Sequence, residues 1–235
     1  MLVHGLVVSS RSTVPAARAL ARLAPVAAPD LPGFGRTPGP RRALDVAGLA
    51  RTLARWVDAA GAGRAVLVAN SLGCQVAVRL AVERPGLVAA LVLTGPTGDP
   101  AARSPWGHAR RWLADVPRER RSLAAVVAAD LVASGPRRAA ATYAAMLTDE
   151  PERALPSVAA PVLVVRGEHD TVAPPAWAAE VARLAPRGRT ATVAGGAHTL
   201  VHGWPGGLAA AVARFLADEG LTGPFPGPGA PPAAP

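Results

Sequence analysis

The most constraining feature of the sequence is a serine at a sharp turn between an apolar strand and a helix. The serine lies in the pentad Ala69-Asn70-Ser71-Leu72-Gly73. Residues 65–68 are apolar and predict the strand. A serine on such a tight turn has a strained backbone, so the residues two before and two after it must be small, as they are here. Two interpretations fit this window: a nucleophile presented at the turn, or a serine that caps the following helix.

Two later segments place an acid and a histidine in comparable positions. Residues 161–165 predict a strand that leads into Asp170, and residues 191–193 end a strand that leads into His198. Serine, aspartate and histidine therefore follow one another along the chain, each just past the end of a predicted strand. This chain order is typical of the α/β-hydrolases and differs from the orders of chymotrypsin and subtilisin.

The chain resembles the α/β-hydrolase superfamily over about residues 1–218. In addition to the three segments above, Leu2-Val3-His4-Gly5 ends an apolar strand and is similar to the family's His-Gly loop. Residues 30–37 are similar to its Asp-x-Pro-Gly-x-Gly-x-Ser turn. The resemblance implies an α/β fold with a mostly parallel sheet flanked by helices. It also implies two strands before the His-Gly loop, so we expect the N-terminal strands of the sheet to be missing.

Apolar periodicity and turn residues predict the order of the elements. Strands are predicted near residues 2–3, 25–28, 65–69, 88–94, 161–165 and 191–193, and helices near residues 14–23, 45–60, 72–83, 176–184 and 206–217. Residues 96–156 have an irregular helical pattern, and we interpret them as a cap inserted over the active site; we call them the cap segment. Residues 219–235 are rich in proline and glycine and are expected to form a disordered tail.

In a serine hydrolase, the serine hydroxyl is a weak nucleophile and needs a neighbouring base to take its proton. We expect Ser71 to attack a carbonyl carbon while His198 accepts its proton, and Asp170 to orient His198 and stabilise its charged form. The backbone N–H of Leu72, at the start of a helix, is expected to stabilise the oxyanion. The resemblance implies that Leu6, which follows the His-Gly pair, supplies the second donor.

Other residues compete for these roles. Glu168 and Asp99 are alternatives to Asp170 as the acid, although the spacing past the strand favours Asp170. His202 is an alternative base, but the Gly-Gly-Ala-His turn favours His198. His4 is expected to shape its loop and not to act as a base.

The net charge of +9 does not indicate a nucleic-acid-binding protein. All 25 basic residues are arginine, and they are dispersed along the chain. Aromatic residues make up only 4% of the sequence, which is too few for base stacking beside a basic face. The densest stretch, residues 103–121, holds six arginines and predicts a solvated helix face, with a lid that attracts anionic substrates as the alternative.

Composition also limits localisation and cofactors. No apolar run reaches the roughly 18 residues of a membrane helix, and the N-terminus lacks the pattern of a signal peptide, so we expect a cytoplasmic protein that does not bind membranes. The single cysteine, Cys74, permits no internal disulfide and is expected to be a packed helix residue. No metal-ligand spacing or phosphate-binding loop is present, so no cofactor or metal is expected.

The residue types narrow the activity. A serine at the turn argues against relatives that use aspartate there, such as haloalkane dehalogenases and epoxide hydrolases. The absence of lysine argues against hydroxynitrile lyases. We therefore predict a hydrolase that acts on a carboxylic ester or a related small acyl compound. A carbon–carbon bond hydrolase, a perhydrolase and a catalytically silent small-molecule receptor of the same fold are the alternatives.

Overall fold

The fold is built on one parallel sheet. The computed structural model describes residues 1–61 and 63–221. Within these ranges, five strands pair in the order β1-β2-β3-β4-β5, and every pair is parallel. The strands are β1 (Leu2–Val3), β2 (Ala65–Asn70), β3 (Val88–Thr94), β4 (Val162–Gly167) and β5 (Gly188–Val193). Because parallel strands need crossover connections, helices run between them.

The helices predicted near residues 14–23, 45–60, 72–83, 176–184 and 206–217 are present with similar bounds, together with further helices. They are α1 (Val14–Leu20), α2 (Val46–Ala59), α3 (Leu72–Glu83), α4 (Pro105–Asp115), α5 (Arg121–Ser134), α6 (Pro136–Thr148), α7 (Pro151–Ala154), α8 (Pro175–Leu184), α9 (Leu200–Gly203) and α10 (Pro205–Asp218). Asp45 precedes the first residue of α2, and its side chain accepts a hydrogen bond from the Gly48 N–H at 2.7 Å. This is the N-cap arrangement that a residue of this type favours.

Helices cover both faces of the sheet. The strand side chains alternate in direction, so Leu67, Leu91 and Val164 pack on one face while Val92 and Val165 pack on the other. The first face is covered by apolar side chains of α2, α3 and α8, and the second by those of α1, α9 and α10. Strands β2, β3 and β4 are largely buried on both sides, which explains their continuous apolar runs, whereas the edge strand β5 is largely exposed.

The predicted short strand at residues 25–28 is wrong. These residues have no strand geometry, although the Leu2 N–H donates a hydrogen bond to the Ala27 carbonyl at 2.8 Å. A strand needs a continuing ladder of such bonds, and a single one beside the two-residue β1 does not provide it.

The cap segment lies between β3 and β4 and contains α4, α5, α6 and α7. Its role as an inserted cap stays a prediction. Of the predicted tail at residues 219–235, only Glu219, Gly220 and Leu221 are described, and residues 222–235 lie outside the described residues. Among the helices of the described residues, none is long and apolar enough to cross a membrane.

Candidate active site

Ser71 occupies a strained turn between β2 and α3. Its backbone has φ 56° and ψ −124°, and its side chain caps no helix N–H. Within residues 1–61 and 63–221, Val7 is the one other non-glycine residue with a positive φ, at 60°. Such conformations are unfavourable for residues with a Cβ and concentrate at functional sites. The geometry therefore favours the presented serine over the helix-capping serine.

The close approach of β1 explains the small residue at position 73. A Cβ atom built on Gly73 would lie 2.6 Å from the Val3 carbonyl oxygen and 2.7 Å from that of His4. Real Cβ atoms do not come so close to backbone oxygens, so a larger residue would push the first turn of α3 away from β1.

Asp170 and His198 form a buried pair. Nδ1 of His198 lies 3.1 Å from Oδ2 and 3.2 Å from Oδ1 of Asp170. Because a carboxylate only accepts hydrogen bonds, the Nδ1–H donates, which leaves Nε2 free to accept a proton in the neutral ring. Oδ1 of Asp170 also accepts hydrogen bonds from the N–H groups of Val172 and Ala173, at 2.8 and 2.9 Å. The carboxylate is thus fixed in orientation by its own loop.

The residue before Ser71 anchors the histidine loop. The side-chain amide of Asn70 donates to the Thr94 carbonyl at 3.1 Å and to the His198 carbonyl at 3.3 Å. In the part of the chain that the structure describes, Ser71 Oγ makes no hydrogen bond with His198. Such a bond is often long before substrate binds, so its absence does not separate the two residues functionally.

The two predicted oxyanion donors, Leu72 and Leu6, lie in segments that adjoin Ser71. Leu72 is the first residue of α3, and among the described residues its N–H has no acceptor. The N–H of Leu6 is also without an acceptor there. A Cβ atom built on Gly5 would lie 3.1 Å from the Cβ of Ser71, so the loop that carries Leu6 packs directly against the serine.

The competing residues are engaged elsewhere. The carboxylate of Asp99 pairs with Arg111 at 2.5 Å. Oε2 of Glu168 accepts from the Gly195 N–H at 2.8 Å. Nε2 of His202 lies 2.9 Å from the Ser122 hydroxyl. Of the acidic candidates named from the sequence, Asp170 is the one whose side chain forms a hydrogen bond with the His198 ring.

His4 uses both ring nitrogens to hold its loop. Nδ1 lies 2.8 Å from the Gly5 carbonyl, and Nε2 accepts from the Leu31 N–H at 2.9 Å. Burial lowers the pKa of His4, so the ring is neutral at pH 7. These contacts agree with the expected loop-shaping role.

Three residues at the site were missed by sequence reasoning. Gly95 follows β3, and a Cβ built on it would lie 2.7 Å from Nδ1 of His198. Asp115, at the end of α4, accepts a hydrogen bond from the His198 N–H at 3.3 Å, and Glu119 accepts from the Thr199 N–H at 2.5 Å. Gly95 had a local signal, since Gly-Pro after a strand marks a turn, whereas the two acids had none.

The charges around His198 raise its pKa. Burial lowers the pKa, but the negative charge and hydrogen bond of Asp170, followed by the charges of Asp115 and Glu119, raise it more, to about 9. Burial raises the pKa values of Asp115 and Glu119 themselves. The site therefore strongly stabilises a positive charge on the histidine ring.

Comparison with known families shows the family to which the chain belongs. A family model for the alpha/beta hydrolase fold matches residues 1–146, which is more than half of the chain. The chain belongs to the α/β-hydrolase family. The predicted superfamily, fold class and hydrolase type of enzyme are thereby confirmed. A second model, described as TAP-like protein, matches residues 136–225 of this α/β-hydrolase.

Two curated relatives are larger proteins. The α/β-hydrolase is 29% identical over 241 residues to the biotin biosynthesis bifunctional protein BioHC of Cellvibrio japonicus, a match that covers 92% of this chain and 47% of the relative. It is 46% identical over 72 residues to the lipase LipV of Mycobacterium tuberculosis, covering 31% of this chain and 27% of the relative. The chain thus spans less than half the length of these curated relatives.

A solved structure of similar fold is a thermophilic esterase from Thermogutta terrifontis with malate bound. It matches this α/β-hydrolase with a TM-score of 0.77 and 23% identity, over 92% of this chain and 88% of that one. At this identity the likeness establishes the shared fold and leaves the substrate open.

Proposed function

We propose that this α/β-hydrolase cleaves a carboxylic ester, or a related small acyl compound, through a covalent acyl intermediate on Ser71. The observation that carries the proposal is the buried His198–Asp170 pair, whose loop is held by Asn70, the residue that precedes the strained serine. A nucleophile, a base and a group that orients the base are the minimum set for acyl transfer at a serine.

The reaction follows from the positions of these groups. Ser71 Oγ attacks the ester carbonyl carbon while its proton passes to Nε2 of His198. Asp170 keeps the ring in the tautomer that leaves Nε2 unprotonated and stabilises the imidazolium. The imidazolium then gives the proton to the leaving alcohol oxygen, and the carbon–oxygen bond of the ester breaks. Water repeats the sequence to release the acid and restore Ser71.

Backbone N–H groups stabilise the negative oxygen in both steps. We assign this role to the N–H groups of Leu6 and Leu72, which have no acceptor among the described residues, and the positive end of α3 adds to their effect. A donor of this kind typically lowers the barrier by about 3 kcal/mol.

The names of two proteins that this chain resembles add support, since one is called a lipase and the other an esterase. Both names refer to hydrolysis of acyl esters. We therefore favour ester hydrolysis over the carbon–carbon bond hydrolase, the perhydrolase and the receptor.

The proposal is tested by hydrolysis of p-nitrophenyl esters of graded acyl length. Wild type should turn over at least one ester, and Ser71→Ala should abolish turnover while the protein remains folded by circular dichroism. Asp170→Asn should reduce kcat by about 10⁴-fold. If folded Ser71→Ala hydrolysed the esters at the wild-type rate, the role of Ser71 would be refuted. If folded wild-type protein hydrolysed none of the esters, the result would favour the small-molecule receptor.

A further inference from the structure

Two carboxylates of the cap segment hold the loops that carry Asp170 and His198. Oδ2 of Asp115 accepts a hydrogen bond from the His198 N–H at 3.3 Å, and Oδ1 accepts from the Thr171 N–H at 3.4 Å. Asp115 is only 2% exposed. One buried side chain therefore bridges the loop after β4 and the loop after β5, which have no common segment of chain.

Glu119 adds a second contact four residues further along. Its Oε1 accepts a hydrogen bond from the Thr199 N–H at 2.5 Å. Its Oε2 is buried and, within residues 1–61 and 63–221, has no hydrogen-bond partner. The hydroxyl of Thr171 donates to the Arg111 carbonyl at 2.7 Å, so both active-site loops are fastened to the same short stretch of the cap segment.

A buried carboxylate without full hydrogen bonding is unfavourable unless a positive charge compensates it. Arg111 is paired with Asp99, and the charge of Arg120 lies over the ring of Trp204, 5.3 Å from its centre. Among the described residues, no arginine makes a salt bridge with Asp115 or Glu119. The charge of the protonated His198 ring acts on both carboxylates and lowers their pKa values against the effect of burial, so this ring is the cation that compensates them.

The groups that face His198 come from several elements. Asp170 lies in the loop after β4, and Asp115 and Glu119 lie in the cap segment. His108 of α4 is also close enough to interact with the charge of His198. Burial, together with the positive charges of His198 and Arg111, lowers the pKa of His108 to about 4, so this ring is neutral at pH 7. His202 of α9 interacts with Ser122 instead. The charged groups that raise the pKa of the His198 ring, Asp170, Asp115 and Glu119, are thus all negative.

We propose that Asp115 and Glu119 are positioning residues that hold the His198 loop against Asp170 and stabilise the positive charge that His198 acquires when it takes the serine proton. The inference rests on the proposed function, because that charge forms during acyl transfer. It assigns the cap segment a part in the chemistry in addition to any part in substrate selection.

The test compares Asp115→Asn and Glu119→Gln with wild type. Each variant keeps the shape of the side chain and removes its charge. Glu119→Gln also keeps the one accepting oxygen, whereas Asp115→Asn keeps one of the two oxygens that accept hydrogen bonds. Asp130→Asn is the matched control, because Asp130 is also a buried carboxylate of the cap segment, 1% exposed, but it accepts its hydrogen bond from Ser9. Two readouts are needed: the titration of the His198 ring by nitrogen-15 NMR, assigned with a His198→Gln variant, and the acid limb of kcat/KM for a p-nitrophenyl ester.

We expect the His198 titration and the acid limb of Asp115→Asn to move to lower pH by roughly one unit, with a shift in the same direction for Glu119→Gln. The Asp130→Asn titration should stay at the wild-type position. If Asp115→Asn fails to fold, Glu119→Gln carries the same expectation. A folded variant whose His198 titrates as in wild type would overturn the inference. Asp115 and Glu119 would then only hold the loops in place.

The two readouts separate this inference from the proposed function. A wild type that hydrolyses no ester would contradict the proposed function. The NMR titration would still decide whether the two carboxylates stabilise the charged ring of His198.

Discussion

Gly95 and His198 are in direct contact. A Cβ atom built on Gly95 would lie 2.7 Å from Nδ1 of His198 and 3.0 Å from Oδ2 of Asp170, too close to both partners of the buried pair. Gly95 also has a φ of 54°, a conformation that costs residues with a Cβ about 1–2 kcal/mol. The lack of a side chain at this position is therefore a condition for the His198–Asp170 hydrogen bond.

The first prediction concerns Gly95→Ala. The added methyl group should push the His198 ring away from Asp170 and lower kcat/KM for an ester by about 100-fold, since displacements near 1 Å at a reacting group have effects of this size. Gly61→Ala is the control, because Gly61 has a similar φ of 61° and an added Cβ there meets nothing within 4 Å. An equal loss of activity in both variants would contradict the steric explanation.

Some residues of the site could be predicted from the sequence, and others could not. The turn around Ser71 was predictable because its steric demand falls on residues two positions away. Asp115 was not, because it meets His198 across 83 positions of the chain and from a segment whose pattern is irregular. Contacts of this kind depend on how the cap segment packs, which local propensity does not encode.

The fold was predicted best for helices and strands that have start and stop signals in the sequence at both ends. Helix α3 runs from Leu72 to Glu83 as expected, between the Ser71 turn and the Pro85-Gly86 stop. The short strand at residues 25–28 was predicted wrongly. A strand forms only where it can make a ladder of hydrogen bonds with a neighbouring strand, and β1 has just two residues.

The second prediction is an alkaline pH dependence of activity. His198 must be neutral to accept the proton of Ser71, and its pKa is raised to about 9 by Asp170, Asp115 and Glu119 against the lowering effect of burial. The fraction of neutral ring, and with it kcat/KM, should rise about tenfold per pH unit below that value and level off above it. Measurement of kcat/KM between pH 6 and 10 checks this, and a plateau that begins below pH 7 would contradict it.

The third prediction concerns stability and has the opposite sign. A histidine with a raised pKa in the folded state binds its proton more tightly than in the unfolded state, where the pKa is about 6.5. Its contribution is fully present below pH 6.5 and is lost as pH rises through about 9. The free energy of urea unfolding of wild type relative to His198→Gln should therefore fall between pH 6 and pH 9.5. A difference that is constant over this range would exclude the effect.

The fourth prediction concerns the contact between the cap segment and the loop after β1. The Ser9 hydroxyl donates to Oδ2 of the buried Asp130 at 2.7 Å. Ser9→Ala should lower the free energy of unfolding by about 3 kcal/mol, because it leaves a buried carboxylate without that donor. Ser157→Ala is the control, since Ser157 is exposed, and it should change stability by less than about 0.5 kcal/mol. Equal urea midpoints for Ser9→Ala and wild type would contradict the expectation.

The most direct test of the central claim is to react the folded protein with a fluorophosphonate and to locate the adduct by mass spectrometry of its peptides. This reagent forms a stable bond with a serine that is activated by a neighbouring base. The account predicts one adduct, on Ser71, that is absent in Ser71→Ala and forms far more slowly in His198→Gln. An adduct on a different residue, or ester turnover without any adduct on Ser71, would contradict the assignment of Ser71 as the nucleophile.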